Sequence, residues 1–345
     1  MTHAITVEPS GRQFECAEDE TILLAAIRQG IPLPYGCKDG ACGSCKCKRI
    51  SGEVQMDSHQ AKALSPEEAA QGLILTCRAR AQSAVVLESK QVTAADALPV
   101  RKMPARIASL EKLADDVMRV RLQLPAAEVF QYRAGQYVDI ILRDGARRSY
   151  SMGNAAHTQA EVGGIELHIR HLPGGAFTDP LFNGTVKEKG ILRLEGPMGS
   201  FYLRESDSDS PIIMLASGTG FAPIKALLEH MAFEGVKRPT TVYWGGRRPQ
   251  DLYLHDWMLA HAASHAHVSY VPVVSDALPA DQWTGRSGFV HRAVLEDHAN
   301  LSAFQVYACG APIVIESAQR DFLAQGLDAE AFFADSFTSA ADLAS

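Results

Sequence analysis

Four cysteines within eleven residues constrain this chain more than any other feature of its 345-residue sequence. They lie in YGCKDGACGSCKCK, residues 35–48, and a further cysteine follows at position 77. The spacing of Cys37, Cys42, Cys45 and Cys77 is the plant-type pattern for a [2Fe–2S] cluster, in which four thiolates hold two sulfide-bridged irons. A structural zinc site with four cysteines is the alternative, although such sites prefer two short cysteine pairs.

Small residues fill the gaps of this loop, and they would let the backbone wrap a cluster and turn its N–H groups toward the sulfurs. Cys47 falls where the chain should leave the loop as a strand, so we interpret it as a small, half-buried hydrophobe and not as a ligand. Cys16, in the second predicted strand, has the same interpretation.

Charge and hydropathy exclude several classes of partner. The formal net charge is −7, which argues against a nucleic acid held by phosphate contacts. No apolar run reaches the length of about 18–20 residues that a membrane span needs. The N-terminus, MTHAITVEPSGRQ, has no basic segment followed by an apolar one, so we expect a cytoplasmic protein. In that reducing compartment, clustered cysteines favour metal ligation over disulfides.

The pattern of the chain changes twice. Residues 1–92 combine short strands with a helix in DETILLAAIRQG and another in SPEEAAQG, where Ser65 and Glu68 predict a capping box. Small and polar residues make 93–101 a predicted linker. Strand-like runs separated by turns fill 102–206 and are typical of an all-β sheet or barrel. From 207 to 345, short apolar strands alternate with helices, as in βαβ units around a parallel sheet.

Two motifs in the β region suit a flavin dinucleotide. Arg148, Tyr150 and Ser151 follow the strand run QYVDIILRDGAR and could offer a cation, an aromatic face and a hydroxyl. Further on, HIRHLPGGAFTDPLF leads a strand into two glycines and a predicted helix start with Thr178 in its first turn, where backbone N–H groups suit phosphate oxygens. Each motif alone also fits an ordinary exposed strand or a simple strand–helix turn.

The C-terminal region carries signals for a nicotinamide dinucleotide. Ala216–Pro223 reads ASGTGFAP after the strand PIIMLA; its glycines allow close approach of a pyrophosphate at a helix N-terminus. The sequence CGAP, beginning at Cys309, ends the strand FQVYAC and opens another helix. Asp276, in VVSD, could accept a hydrogen bond from a ribose 2′-hydroxyl and would repel a 2′-phosphate, which favours NADH. Arg247 and Arg248 keep NADPH open.

Taken together, these motifs place the chain by resemblance. Residues 1–92 resemble a plant-type ferredoxin domain, and AGQYV, GPMGSFYLR and the motifs above make the remainder similar to the ferredoxin–NAD(P)H reductase family. The resemblance implies a multidomain fold: an α+β ferredoxin domain of the β-grasp type, an antiparallel β-barrel that binds flavin, and an α/β domain with a parallel sheet that binds the nicotinamide. Because the cluster domain comes first, the resemblance implies FAD and not FMN.

The resemblance also assigns residues to roles. It implies that the flavin is contacted by residues of two strands, of a turn and by one C-terminal aromatic residue. These are Arg148, Tyr150, Ser151, His168, Ile169, Arg170, Gly175, Thr178 and Phe337. It implies that the nicotinamide dinucleotide is contacted by residues at strand ends, namely Gly218, Thr219, Gly220, Asp276, Cys309 and Gly310. Ser151 and Cys309 would lie beside the reacting atoms, and Cys309 would pack there and exclude water without acting as a nucleophile. Phe332 and Phe333 are expected to be core residues of the last strand.

The whole chain, with its cluster domain first, resembles the one-chain reductase components of bacterial oxygenases, and it is also similar to the reductase that serves a 3,6-dideoxysugar dehydrase. The implied activity is electron transfer from NADH through FAD and the [2Fe–2S] cluster to a terminal oxygenase or another accepting protein.

Residues 1–92 carry ten basic and eleven acidic side chains, with Lys38, Lys46, Lys48 and Arg49 near the loop, so the docking face there is mixed or basic. We expect a monomer. A redox or NADH sensor and a zinc-stapled structural protein remain alternatives of other classes.

Overall fold

The computed structural model describes residues 1–92, 98–126, 130–204 and 209–337, and the chain divides into two compact units. The first unit consists of Met1–Val100, Gly199–Phe201 and the chain from Ala334 onward. The second consists of Arg101–Met198 and Tyr202–Phe333. The predicted linker at 93–101 lies largely outside the described residues, and its last residue, Arg101, begins a strand.

The first unit is a mixed sheet with two short helices. Its elements are β1 (Thr2–Glu8), β2 (Arg12–Ala17), α1 (Ile22–Arg28), β3 (Lys46–Ser51), β4 (Val54–Met56), α2 (Pro66–Ala70), β5 (Leu73–Leu75), β6 (Ala79–Ala81) and β7 (Val85–Glu88). The main sheet has the order β2-β1-β7-β3-β5; only the β1–β7 pair is parallel among the pairs described for it. Strands β4 and β6 form a separate antiparallel pair.

Local sequence signals account for both helices of this unit. The hydroxyl of Thr21 accepts a hydrogen bond from the Leu24 N–H and starts α1, which buries its apolar face. In α2, Ser65 and Glu68 bond to each other's backbone N–H groups, so the predicted capping box is confirmed. The cysteine loop is held between the end of α1 and the start of β3.

The second unit begins with an antiparallel sheet. Its elements are β8 (Arg101–Ala114), β9 (Val117–Gln123), β10 (Tyr137–Ile141), β11 (Arg147–Ser151), α3 (Gln159–Val162), β12 (Ile165–Arg170), α4 (Thr178–Phe182) and β13 (Ile191–Met198). The strand order is β11-β10-β13-β8-β9-β12, and a bridge between Met152 and Leu167 joins its two outer strands. Inward-facing aliphatic and aromatic side chains of all six strands form one core cluster.

A second sheet, flanked by helices, follows the antiparallel sheet along the chain. Its elements are β14 (Ile212–Ser217), α5 (Phe221–Glu234), β15 (Thr240–Gly246), α6 (His255–Ser264), β16 (Val268–Val274), β17 (Arg286–Ser287), α7 (Val290–Asp297), β18 (Gln305–Gly310), α8 (Pro312–Ala324) and β19 (Phe332–Ser336). The order is β17-β16-β15-β14-β18-β19. The pairs that β14 makes with β15 and β18, and β16 with β15 and β17, are parallel, as the βαβ pattern predicts.

Within the described residues, no helix is both long enough and apolar enough to span a bilayer.

Candidate functional site

The four predicted cluster ligands form two pairs of thiols. Sγ of Cys45 lies 3.2 Å from Sγ of Cys77, and the backbone N–H of Cys37 points at Sγ of Cys42 at 3.4 Å. The Asp39 N–H also points at Sγ of Cys37, at 3.4 Å. In the described part of the chain, no three His, Cys, Asp or Glu side chains surround a point that suits a single metal ion. Two thiol pairs are instead what two bridged irons require, so the donor set fits a binuclear cluster.

The thiols within each pair are close enough to share protons. The bond from Cys42 lowers the pKa of Cys37 to about 6, with burial opposing this shift. Bonds to the partner thiol and burial raise the pKa values of Cys42 and Cys45 well above their ordinary value. Iron binding would displace these protons, because the thiolate is the form that ligates a metal.

One glycine shows how tightly the loop is folded. Gly43 has φ +75°, and a Cβ there would meet the Ala63 carbonyl oxygen at 3.0 Å. Cys47 lies outside the loop, in β3, where it is 3% exposed and registers with Ile74. Cys16 is fully buried in β2. Both cysteines lie in strands as predicted, but they are buried core residues and not half-buried ones.

Strand β11 presents the predicted flavin residues on alternate positions. Arg148 and Tyr150 share one face of the strand, while Ser151, at its end, is 6% exposed. The Tyr150 ring packs 5.8 Å from the Phe177 ring, and burial raises the pKa of the phenol, which therefore stays protonated. The Arg148 guanidinium donates to the Arg147 carbonyl at 2.8 Å. This face offers the cation and the aromatic ring that the flavin prediction requires.

The turn after β12 is organised by Thr178, the first residue of α4. The Thr178 hydroxyl donates to the Leu172 carbonyl at 2.9 Å and accepts from the Leu172 N–H at 3.2 Å. Gly175 lies directly against this hydroxyl, because a Cβ there would overlap it. Thr178 therefore stabilises the predicted phosphate-binding turn, in addition to any contact that it makes with a ligand.

Strand β12 carries the predicted contacts His168, Ile169 and Arg170. Ile169 is fully buried in the core. The Arg170 guanidinium lies near Gly218, with Nη2 3.5 Å from the position of a Cβ there. Nε and Nη2 of Arg170 are buried without a hydrogen-bond partner among the described residues. Asp251 lies 4.0 Å from Nη2, and two donors this close to a glycine turn fit the oxygens of a dinucleotide.

The predicted nicotinamide turn is a short helical turn, Gly218–Gly220, between β14 and α5. The Trp244 indole N–H donates to the Gly218 carbonyl at 3.0 Å, and the Trp244 ring stacks 3.8 Å from that of Phe221. The turn also touches the end of β18 backbone to backbone, since a Cβ at Gly220 would lie 2.8 Å from Cα of Gly310. The N–H groups that begin α5 are thereby fixed for an anion.

Cys309 is fully buried at the end of β18. Gly310 has φ +137°, and a Cβ there would meet the Ser217 carbonyl oxygen at 2.5 Å. Glycine is therefore required where β14 and β18 end side by side. Gly218, Thr219, Gly220, Cys309 and Gly310 are brought together at the carboxyl edge of the parallel sheet, which is where such sheets bind ligands.

Asp276 lies at the same edge, exposed, two residues after β16, and its N–H donates to the Arg247 carbonyl at 2.9 Å. Arg248 donates to the Asp281 carboxylate at 2.8 Å, and that bond lowers the pKa of Asp281. Phe289 is 68% exposed and follows Gly288, whose N–H donates to the Val274 carbonyl. Sequence reasoning did not single out this exposed aromatic ring.

The C-terminal aromatic residues divide as expected into core and candidate. Phe332 and Phe333 are 6% and 7% exposed in β19, and the Phe333 ring stacks 4.9 Å from that of Tyr307, which confirms their core assignment. Phe337 is half-buried and is the last described residue. Its predicted contact with the flavin stays a prediction.

Comparisons with known protein families give three matches along the chain. Three family models match successive segments: a 2Fe-2S iron-sulfur cluster binding domain over residues 5–82, an oxidoreductase FAD-binding domain over 104–202 and an oxidoreductase NAD-binding domain over 214–320.

Full-length relatives are also found. The chain is 41% identical over 340 residues to CDP-6-deoxy-L-threo-D-glycero-4-hexulose-3-dehydrase reductase of Yersinia pestis, covering 98% of this chain and 99% of the relative. It is 35% identical to terephthalate 1,2-dioxygenase reductase component 1 of Comamonas sp, covering 98% of both chains. Among solved structures, the Amycolatopsis cytochrome P450 reductase GcoB has a TM-score of 0.78 at 32% identity and covers 98% of this chain and 99% of its own.

Proposed function

The chain belongs to the family of ferredoxin reductases that unite a [2Fe–2S] domain with FAD- and NAD-binding domains, and from that premise we propose that it passes electrons from NADH through FAD and the cluster to a separate protein. We assign 1–92 to a β-grasp ferredoxin domain, 93–101 to a linker, 102–206 to a flavin-binding β-barrel and 207–345 to the nicotinamide domain. The mixed sheet, the antiparallel sheet with its edge bridge and the parallel strand pairs support these assignments.

One observation supports this function above the others: a single chain holds both a dinucleotide turn at a parallel-sheet edge and two thiol pairs that suit a binuclear cluster. NADH delivers a hydride, which carries two electrons, whereas the cluster accepts one electron at a time. FAD, when bound, supplies the chemistry that accepts the pair and releases single electrons. An electron-transfer reductase needs all three groups.

Residues of the chain would bind the two dinucleotides and exclude water from the reacting faces. The N-terminus of α5 and the turn at Gly218–Gly220 would bind the nicotinamide dinucleotide's pyrophosphate. The Arg148 guanidinium would hold the flavin pyrophosphate, and the Tyr150 ring would cover the ring system. Cys309, fully buried, would exclude water from the reacting faces, and Ser151 would hydrogen-bond near them.

Two features support NADH as the donor. Asp276 would accept from a ribose 2′-hydroxyl and repel a 2′-phosphate. Arg248, one of the two arginines that kept NADPH open, is paired with Asp281. A 2′-phosphate would have to compete with that carboxylate for the guanidinium.

We propose a terminal oxygenase as the electron acceptor, docking near the cluster loop of a monomeric, cytoplasmic reductase; the oxygenase reductase among the relatives supports this choice. A deoxysugar dehydrase is the second candidate, favoured by the 41% identity to the dehydrase reductase over 98% of the chain. Lys48, exposed at the start of the strand after the loop, would contribute to a mixed or basic docking face.

Anaerobic reduction of purified acceptors distinguishes these partners. Oxygenase components and dehydrases encoded beside this chain would each be mixed with the reductase and NADH, and then with NADPH, while the acceptor's own absorbance is followed. We expect one acceptor to be reduced at least tenfold faster than the others, and NADH to outperform NADPH. If NADH reduces the flavin and no protein acceptor is reduced, a redox-sensing role replaces the proposal.

A further inference from the structure

A lysine lies buried inside the helix that starts at the nucleotide turn. Lys225 is the fifth residue of α5, in the apolar stretch APIKALLEH, and is 6% exposed. Its ammonium group is closely paired on several sides, as a buried charge must be if the helix is to be stable. The number and direction of these partners suggest a role beyond the stability of the helix.

The partners of Lys225 come from its own helix and from the antiparallel sheet. Nζ donates to Glu229, one turn along α5, at 2.6 Å. It also donates to the Gly153 carbonyl at 2.8 Å and lies 3.4 Å from the Glu166 carboxylate. Gly153 directly follows the strand that carries Arg148–Ser151, and Glu166 belongs to β12. Lys225 therefore ties the nucleotide-side helix to the flavin-side sheet.

Glu229 makes a second connection of the same kind. Its other carboxylate oxygen accepts the N–H of Ala155 at 2.9 Å. Side chains from two adjacent turns of α5 thus form hydrogen bonds with both ends of the segment Gly153–Ala155. Because one contact uses a carbonyl and the other an N–H, neither sliding nor rotation of α5 can preserve both.

The flavin-side end of this network is rigid as well. Glu166 is 1% exposed and bonds to the His168 ring at 2.8 Å, and the other ring nitrogen of His168 lies 2.9 Å from the Tyr253 hydroxyl. Arg121 faces the second oxygen of Glu166 at 3.4 Å. Burial would raise the pKa of Glu166, but His168 and the nearby cations outweigh it and lower the pKa to about 2. The Glu166 carboxylate is therefore a fixed anion for Lys225.

We propose that Lys225 is a positioning residue for hydride transfer, which locks α5 to the flavin-side sheet and thereby fixes where the nicotinamide meets the flavin. The inference rests on the proposed function. Lys225 lies about five residues, or roughly 7.5 Å of helix, beyond the turn that would hold the dinucleotide. A small rotation of α5 at Lys225 would displace that turn, and a displacement of about 1 Å costs on the order of a hundredfold in rate.

The test replaces Lys225 by methionine in the full-length, cofactor-loaded protein. Lys225→Met keeps the length of the side chain and removes the charge and the bond to Gly153. Lys187→Met, at an exposed lysine of the same unit, is the matched control. Iron, sulfide and flavin contents and dithionite reduction of the cluster are measured first, because positioning alone leaves all four unchanged.

Two further readouts separate positioning from stability. We expect the rate constant for flavin reduction at saturating NADH to fall at least tenfold in Lys225→Met while KM changes less than threefold, and we expect the Ala155 amide to exchange hydrogen at least tenfold faster. Lys187→Met should match the wild type in both. A Lys225→Met rate constant within twofold of the wild type would overturn the inference, whether or not the Ala155 amide has lost protection.

A second variant covers the case in which Lys225→Met does not fold. Glu229 is 19% exposed, so Glu229→Ala is tolerated more easily; it removes the bond to Ala155 and the pairing with Lys225, and it leaves the bond from Lys225 to Gly153 in place. We expect about a threefold loss in the same rate constant together with faster exchange at Ala155; faster exchange with an unchanged rate constant would contradict the inference. A wild-type protein whose flavin is not reduced by NADH refutes the proposed function itself, whatever the variants do.

Discussion

Gly220→Ala tests whether the turn before α5 must lie against the end of β18. A Cβ at position 220 would overlap the carbonyl oxygen of Cys309 and lie 2.8 Å from Cα of Gly310, where an ordinary contact needs 3.4 Å. The shortfall at Gly310 alone is about 0.6 Å, and the overlap with the Cys309 carbonyl is larger. Both partners are backbone atoms, so no side-chain rotation can relieve the overlap, and the two strand ends must separate.

A separation of that size displaces the dinucleotide by an amount to which hydride transfer is sensitive, since about 1 Å costs on the order of a hundredfold. We expect flavin reduction by NADH, followed by stopped-flow absorbance at saturating NADH, to slow about ten- to a hundredfold. Flavin and iron contents and dithionite reduction of the cluster should be unchanged, because neither group is predicted to bind at this turn.

Gly235→Ala is the matched control. Gly235 follows α5 with φ +69° and has no atom within 4 Å of a Cβ position. Alanine there costs about 1 kcal/mol of backbone strain and leaves the turn intact. If Gly220→Ala reduced its flavin within twofold of the Gly235→Ala rate, the assignment of Gly218–Gly220 as the dinucleotide turn would be wrong.

Three other outcomes are expected. Cys45→Ser should lose the visible absorbance and electron paramagnetic resonance of the cluster while Cys47→Ser keeps both, and the reverse would show that the third ligand was misassigned. Asp276→Arg should raise kcat/KM for NADPH relative to NADH, and an unchanged ratio would count against the role of that loop. His261 is partly buried, and burial together with the charges of His265 and His267 lowers its pKa to about 4, so the unfolded chain binds the proton more strongly. Stability should therefore fall as pH drops from about 6.5 toward 4, and His261→Gln should reduce that slope in denaturant titrations; equal slopes would refute the assignment.

Local signals in the sequence were enough for much of this fold. The capping box at Ser65 and Glu68, the helix starting after Gly220 and the alternation of strands and helices from residue 207 each depend on neighbours within a few positions, and each is present. The cysteine spacing is a local signal of the same kind, because a short glycine-rich loop leaves the backbone few ways to bring three thiols together, and its ligand assignment stays a prediction.

Partners that are distant in sequence could not be predicted in the same way. The bond from Trp244 to the Gly218 carbonyl spans 26 residues and that from Lys225 to the Gly153 carbonyl spans 72, and both depend on strand register and on how a helix rotates. Lys225 did carry a signal, because a lysine in the apolar stretch of a helix needs a buried anion. No local pattern predicted the role of Asp281, since only the folded chain shows that its carboxylate is paired with the Arg248 guanidinium.

An anaerobic titration of the purified, cofactor-loaded protein with NADH tests the electron-transfer pathway most directly. A chain with one FAD and one [2Fe–2S] cluster takes up three electrons, so complete reduction should need about 1.5 equivalents of NADH. Bleaching of the flavin should be accompanied by the resonance signal of a reduced [2Fe–2S] cluster. Reduction of the flavin with no cluster signal at any NADH concentration would contradict the proposed electron-transfer pathway. A reconstituted protein with neither flavin nor acid-labile sulfide would contradict it as well.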